Sequence, residues 1–307
     1  MSYIIDAIYL LTAAVFIIGL KQMSSPVTAH RGIVWAGIAM VVATLATFGA
    51  PQITLDLGSI NLQLMLVAII AGSLAAYITA KRVAMTDMPQ MIAMYNGMGG
   101  GAAAAIAAVE LVKLSDGGQS HGLTIQVLAV LGAVIGSISL TGSAVAFAKL
   151  QGLMKKTVRL PLHQVLNIGL LAAVCIFGYL VATGTPVSFA HVAIFFILAL
   201  ILGAMVTLPI GGADMPVVIS LFNALTGLAV AFEGFVLNNA AMIIAGTVVG
   251  AAGTLLTQLM AKAMNRPISN VLFSSFGSDS GVAVEEDIEG SMKEIQANDA
   301  AIMMAYG

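Results

Sequence analysis

Charged side chains are scarce in this chain. Only 8% of its 307 residues are Asp, Glu, Lys or Arg, whereas a soluble globular domain carries about a quarter. Apolar residues make up 60% of the sequence and the mean hydropathy is +1.03, so a membrane protein is predicted. Twelve basic residues against fourteen acidic ones leave a formal charge of −2. This balance excludes a basic surface for nucleic acid.

Cysteine and histidine are also sparse. The single cysteine, Cys175, cannot form an intrachain disulfide. The four histidines fall in loops or at the ends of apolar runs, too scattered for a metal site: His30, His121, His163 and His191. Any group that titrates inside the membrane is therefore a carboxylate or comes from another subunit. Because P-loop, nucleophile-elbow and Cys–His motifs are missing too, no catalytic, cofactor-binding or metal-ligating residue is predicted in this chain.

Long apolar runs dominate what is present. About 20 apolar residues cross a hydrocarbon core of about 30 Å as a helix. Nine such spans are predicted, near 3–20, 32–50, 62–81, 88–112, 122–148, 164–183, 189–209, 214–236 and 240–262. The first run lacks the positive flank and cleavage site of a signal peptide, so we interpret it as a retained span. Lys and Arg concentrate on one set of alternating loops, and the other set holds only Lys113. This bias predicts an N-terminus outside and a C-terminus in the cytoplasm.

Spans 4 and 8 begin alike. Each opens with Asp-Met-Pro, at 87–89 and 214–216, and each carries an asparagine seven residues after the proline, Asn96 and Asn223. Spans 5 and 9 share a Gly-x-x-x-Gly spacing, GAVIG at 132–136 and GTVVG at 246–250, which favours close helix packing. Spans 3–5 therefore resemble spans 7–9, and span 6 as the connector makes this a parallel repeat.

The repeated Asp-Met-Pro is typical of a helix start. Aspartate near the N-cap can accept a bond from an amide N–H, and proline in the first turn loses no hydrogen bond. This interpretation explains Asp87 and Asp214 without any function. The two asparagines lie deeper, roughly 13 Å into the span at about 1.5 Å per residue, where a carboxamide needs partners. They either join helices by hydrogen bonds or belong to a functional site.

Further polar residues accompany the asparagines. Span 8 adds Ser220, Thr226 and Glu233 to the face of Asn223. Spans 5 and 9 contribute hydroxyl and amide groups: Ser137, Ser139, Thr141, Ser143, Thr247, Thr254, Thr257 and Gln258. Together they predict one hydrated interior path, and interhelical hydrogen bonding is the alternative interpretation. Glu110 and Glu233 lie near the outer ends of their spans, where we expect their carboxylates to reach water.

A glycine-rich run, GMGGGA at 97–102, approximates the dinucleotide-binding fingerprint. The fingerprint requires a preceding strand and a helix N-terminus. This run instead lies inside span 4, so we predict that it serves close helix packing. After Arg266 the sequence becomes polar and acidic, and residues 267–307 are interpreted as a cytoplasmic linker that follows a membrane domain at 1–266.

Four segments resemble a known family. MTDMPQMIAMYNG at 85–97, SLTGSAVAFAKL at 139–150, GGADMPVVISLFNALTG at 211–227 and AKAMNRPIS at 261–269 are similar to the β subunit of proton-translocating NAD(P)+ transhydrogenase. The resemblance implies an enzyme that couples hydride transfer from NADH to NADP+ with inward movement of a proton. It also implies that NAD(H) binds on the α subunit, and that an NADP(H)-binding domain follows the linker and would begin after Gly307. This chain alone would then bind no nucleotide and be catalytically inactive.

The resemblance also assigns roles to particular residues. Asn223 matches an asparagine of the proton path, Ser143 a serine that lines it, and Asp214 an aspartate at the cytoplasmic mouth that communicates with the NADP(H) domain. Many members carry a membrane histidine where this chain has Asn96. Members with a divided α subunit place asparagine here and the histidine on a partner's helix. We therefore expect a transmembrane helix of the α subunit to supply the relay histidine, held between Asn96 and Asn223.

The assembled enzyme would be a homodimer of αβ units in the bacterial inner membrane or its mitochondrial equivalent. Two other interpretations stay open on the residues alone. A secondary transporter fits the parallel repeat and the polar groups within spans. A structural membrane anchor fits if the polar groups only join helices.

Overall fold

The computed structural model describes residues 2–50, 53, 59–115, 122–154, 162–183, 188–265 and 267, and in these residues the regular structure is entirely helical. Its long helices are α1 (Ser2–Met23), α2 (Pro26–Thr47), α3 (Ile60–Arg82), α4 (Met88–Ser115), α5 (Leu123–Leu150), α6 (His163–Thr183), α7 (Phe189–Thr207), α8 (Met215–Val236) and α9 (Ala240–Ala263). Short 3₁₀ turns, Met85–Asp87 and Gly212–Asp214, precede α4 and α8.

The prediction of nine spans is confirmed for this part of the chain. All nine helices are long and apolar enough to cross a membrane, and eight of them begin within two residues of the predicted start. The exception is α2, which begins at Pro26, six residues before the predicted start at 32. Ser25 is the N-cap and Pro26 occupies the first turn, a strong start signal that outweighs the polar His30 and Arg31.

Burial separates the helices into two groups. Large apolar side chains of α2 and α3 are mostly exposed, among them Trp35, Leu64 and Tyr77. In a bilayer such surfaces face lipid or other helices, so their exposure requires no compensating core. Most of the buried apolar residues lie instead in α4 to α8, with Phe195 and Leu202 in one cluster and Val218 and Phe222 in another.

Helix α5 is the centre of this arrangement. It packs against α4, α6, α7 and α8. Helix α8 packs against α4, α5 and α9, and α1 packs against α2 and α9. The polar residues predicted on spans 4, 5, 8 and 9 are therefore carried by helices in direct contact.

The orientation in the membrane and the parallel repeat stay predictions. Of the predicted linker at 267–307, only Pro267, which is exposed, is among the described residues. His121 and Arg266 also lie outside them.

Candidate functional site

The two asparagines occupy matching places in their helices. Helix α4 begins at Met88 and α8 at Met215, so each asparagine stands eight residues after the start, about 12 Å along the axis. Pro216 lies in the first turn of α8, as predicted. The capping prediction for Asp214 is wrong, because this N-cap residue makes no side-chain capping bond. Its backbone is already in the helical region, with φ −87° and ψ −6°, whereas a capping residue is normally extended.

The glycine-rich run of α4 brings α4 and α5 together. A Cβ atom on Gly97 would lie 3.1 Å from Cβ of Ser143, and one on Gly100 would lie 2.8 Å from Cβ of Ser139. On the α5 side, a Cβ atom on Gly136 would lie 2.6 Å from the carbonyl oxygen of Gly100. The predicted packing role of this run is confirmed. Its backbone is helical and pressed against α5, so it does not fit a dinucleotide.

Close approach places Asn96 in a buried hydrogen-bond cluster. Its Nδ2 atom donates to Oγ of Ser143 at 2.9 Å and to Oγ of Ser139 at 3.3 Å. Ser139 Oγ also lies 2.5 Å from Oγ1 of Thr226 and donates to the carbonyl oxygen of Phe222 at 3.3 Å. All four polar side chains are buried. We call Asn96, Ser139, Ser143 and Thr226 the Asn96 cluster; it joins α4, α5 and α8.

One acceptor of this cluster is not used. Oδ1 of Asn96 is buried and accepts no hydrogen bond from the described part of the chain. Buried polar atoms usually have a partner, and a carboxamide oxygen has two lone pairs. The cluster therefore offers one free acceptor, Oδ1 of Asn96, at a depth where a polar atom without a hydrogen bond is costly.

Asn223 stands apart from the Asn96 cluster. Its side chain is half-buried, and no hydrogen bond joins it to the described residues. Its neighbour Ser220 is buried and accepts a bond from Oγ1 of Thr257 on α9 at 3.1 Å. Helix α8 is thus tied to α5 through Thr226 and to α9 through Ser220, while Asn223 between them is left available. Asp214 is half-buried at the start of α8.

Three of the predicted hydroxyl groups that lie outside the cluster donate to a carbonyl oxygen of their own helix. Thr141 donates to the carbonyl oxygen of Ser137 at 3.1 Å and lies against Gly203 of α7. Thr247 and Thr254 of α9 are exposed, and each donates to a carbonyl oxygen four residues earlier in its own helix. Such bonds satisfy a hydroxyl inside an apolar helix without any partner helix.

The expectation that Glu233 reaches water is wrong. Its side chain is 0% exposed, and neither carboxylate oxygen has a hydrogen-bond partner in the described part of the chain. A Cβ atom on Gly132 would collide with this carboxyl group, so the glycine of α5 makes room for it. Glu110 of α4 fits the expectation better, because it is partly exposed and pairs with Lys113 at 2.7 Å.

Sequence analysis missed two contributors to this region. Gly142 of α5 makes room for the ring of Phe222. The carbonyl oxygen of Phe222 accepts a hydrogen bond from Ser139 of the Asn96 cluster. Lys149 is one of the basic residues whose distribution predicted the orientation, yet its ammonium group also binds three backbone carbonyls at and just after the end of α7. The sequence did carry a signal for this contact. A lysine stands at the end of one predicted span, and a glycine-rich connection follows the span that comes two later in the chain.

The α4–α5 contact gives a first testable prediction. Gly136→Ala is expected to destabilise the folded chain by about 1–3 kcal/mol, the usual cost of overpacking, since its methyl group has backbone on the opposite side. Thermal unfolding in detergent measures the effect. Gly72→Ala is the matched control, because Gly72 lies in α3 with nothing within 4 Å. A neutral Gly136→Ala variant would contradict the close approach.

The sequence is similar to those of known proteins over nearly its whole length. The family model described as "NAD(P) transhydrogenase beta subunit" matches residues 5–307. Two curated sequences from Rhodospirillum rubrum, both named "NAD(P) transhydrogenase subunit beta", are 36% identical over 307 residues. The match covers 97% of this chain and 64% of each relative, so the chain spans somewhat under two thirds of their length.

Proposed function

This chain belongs to the NAD(P) transhydrogenase beta subunit family, and we propose that it forms the membrane domain through which a transhydrogenase moves protons inward as hydride passes from NADH to NADP+. The observation that carries this proposal is the Asn96 cluster, a buried polar contact among α4, α5 and α8, which lie among the nine membrane-spanning helices of the described residues. Polar groups inside membrane domains are expensive and commonly mark ion or proton paths.

The Asn96 cluster cannot carry protons unaided. Carboxamide and hydroxyl groups donate and accept hydrogen bonds but do not titrate near neutral pH. We therefore propose that a transmembrane helix of an α subunit supplies a histidine to this path. Two observations support an outside donor: Oδ1 of Asn96 accepts no bond from the described residues, and the side chain of Asn223 is only half-buried.

Further polar residues are assigned supporting places along the path. Asn96 and Asn223 would hold the proton-carrying group, Ser143 would line the path, and Asp214 would stand at the cytoplasmic mouth. Ser139, Ser220, Thr226 and Glu233 are buried and would line the path, while Thr141 would act through the α5–α7 contact. These roles rest on the bonding and burial described above and on the family resemblance.

The rest of the enzyme lies outside the described residues. We propose that an NADP(H)-binding domain follows residues 267–307, that NAD(H) binds on the α subunit, and that two αβ units assemble in the bacterial inner membrane. The greater length of the relatives supports a further domain. The glycines of α4 pack against α5, which supports nucleotide binding elsewhere than in this helix bundle.

Asn223→Ala tests the proposed function. We expect proton translocation by the complete enzyme to fall by about 100-fold, because the histidine that Asn223 would hold loses its position and a positioned proton-transfer group contributes at least about that factor. Unfolding of the chain should be unchanged, because the side chain of Asn223 makes no hydrogen bond to a described residue. Translocation is measured in vesicles with a pH-sensitive dye, and stability by thermal unfolding.

Asn239→Ala is the opposite control. Asn239 caps α9 by accepting a bond from the amide of Met242 at 3.1 Å. Its replacement should cost about 1 kcal/mol of stability and leave translocation intact. If Asn223→Ala changes stability alone, the polar groups only join helices and the chain is an anchor. A transporter is less favoured, because α4 and α8 run unbroken past their asparagines.

A further inference from the structure

Two basic side chains hold the C-terminal end of α7. Nζ of Lys149, from the end of α5, donates to the carbonyl oxygens of Thr207 at 2.9 Å, Leu208 at 2.5 Å and Ile210 at 2.6 Å. Nε2 of His163, the first residue of α6, lies 2.9 Å from the carbonyl oxygen of Met205. A helix leaves its last carbonyl groups without partners inside the helix, and cations near this end are favourable.

The Lys149 contact extends beyond the helix itself. An ammonium group has three N–H donors, and here three backbone carbonyls use them. Thr207 is the last residue of α7, whereas Leu208 and Ile210 belong to the connection that leads into the Gly212–Asp214 turn and α8. Lys149 is half-buried, so this side chain fixes the connection rather than extending into solvent. The hydrogen bond of His163, in contrast, goes to Met205 within the helix.

Helix α5, which carries Lys149 near its end, also carries two members of the Asn96 cluster. Ser143 lies six residues before Lys149 on α5, about 9 Å along the axis. Farther from Lys149 along α5, Ile138 packs against Gly203 of α7. A Cβ atom added to Gly203 would lie 2.6 Å from the Ile138 carbonyl oxygen. One continuous helix therefore connects the Asn96 cluster with the segment that leads to Asp214.

We propose that Lys149 is a positioning residue that fixes the connection at 208–214, which we call the Asp214 segment, to the end of α5. A displacement of that segment at the cytoplasmic mouth then displaces the helix that carries Ser139 and Ser143. This inference rests on the proposed function for its consequence, proton coupling. The attachment itself is independent of that function, and the two can be tested separately.

The attachment is tested with a spin label at Ala213, which is exposed and follows the Lys149-bound carbonyls by three residues. The label is attached to Ala213→Cys in a Cys175→Ser background. We expect Lys149→Met, which keeps the length but no donor, to increase label mobility, and Lys149→Arg to restore it. His163→Phe is the matched control and should leave the label as in the parent. No change with Lys149→Met, or equal mobilisation by His163→Phe, overturns the attachment.

The consequence is tested in the complete enzyme, reconstituted with its partner subunits in vesicles. Lys149→Met is expected to lower the number of protons moved per hydride transferred by about tenfold, a typical size for coupling between two sites, and Lys149→Arg to recover it. If the Met variant does not assemble, Lys149→Gln retains two N–H donors and should show a partial loss. An unchanged ratio in the variant overturns the positioning role. A parent enzyme that moves no protons overturns the proposed function instead, and the label result still decides the attachment.

Discussion

Asn96→His is expected to restore proton translocation in a complete enzyme in which the histidine proposed for the partner subunit has been replaced by alanine. In the parent chain, Nδ2 of Asn96 already bonds to Ser139 and Ser143. An imidazole at this position can donate to one of these hydroxyls from one ring nitrogen and exchange a proton at the other. Recovery by about 100-fold over the histidine-free enzyme is expected, the lower end of what a positioned proton-transfer group contributes.

The control separates titration from hydrogen bonding. Asn96→Gln keeps a carboxamide and so should give no recovery in the same histidine-free background. Proton movement is followed with a pH-sensitive dye in vesicles, and thermal unfolding verifies that both variants fold. A folded Asn96→His enzyme that remains inactive would show that Asn96 does not lie on the path, whereas equal recovery by Asn96→Gln would exclude imidazole titration as the cause.

The helices themselves were predictable because a bilayer imposes their length. A span needs about 20 apolar residues and must satisfy its own backbone, so apolar runs bounded by Lys and Arg are a strong signal. The beginning of α2 differed from the predicted start because Ser25 and Pro26 start the helix before the apolar run begins. Local capping chemistry, which a count of apolar residues ignores, determined that boundary.

The rotation of each helix was harder to predict. Ser139 and Thr141 are two residues apart, which turns them about 200° from one another on a helix. Ser139 therefore bonds to Thr226 of α8, while Thr141 lies against Gly203 of α7. Because α5 is apolar almost all round, its pattern does not indicate which polar side chain meets which neighbour. The glycines that determine this, Gly100 and Gly136, were recognised as packing residues, but their partners were not evident from spacing.

The surroundings of the charged residue Glu233 were also not predictable from its own helix. Its place near the end of span 8 predicted a carboxylate in contact with water, yet the side chain is completely buried. The cause is Gly132 on α5, whose missing side chain leaves space for the carboxyl group. A position along one helix does not reveal such space, because a second helix provides it.

Glu233→Gln is expected to reduce proton translocation by about 100-fold, a loss typical of removing an acid–base group, without disrupting the fold. Glutamine has nearly the volume and shape of glutamate, so it fits beside Gly132, but a carboxamide does not exchange protons near neutral pH. Glu233 is seven residues beyond Thr226 on α8, about 10 Å along the axis, which would place it as the next proton-carrying group outward from the Asn96 cluster.

Glu110→Gln is the matched control for this carboxyl group. Glu110 lies on the neighbouring α4, is partly exposed and pairs with Lys113, and such exposed pairs contribute about 0–1 kcal/mol. Its replacement should leave translocation near the parent level. Gly132→Ala tests the position from the other side: its methyl group would collide with the Glu233 carboxyl and should lower translocation as well. Full activity in a folded Glu233→Gln enzyme would show that the buried carboxyl is no part of the path, because a group that carries protons cannot be replaced by one that does not titrate.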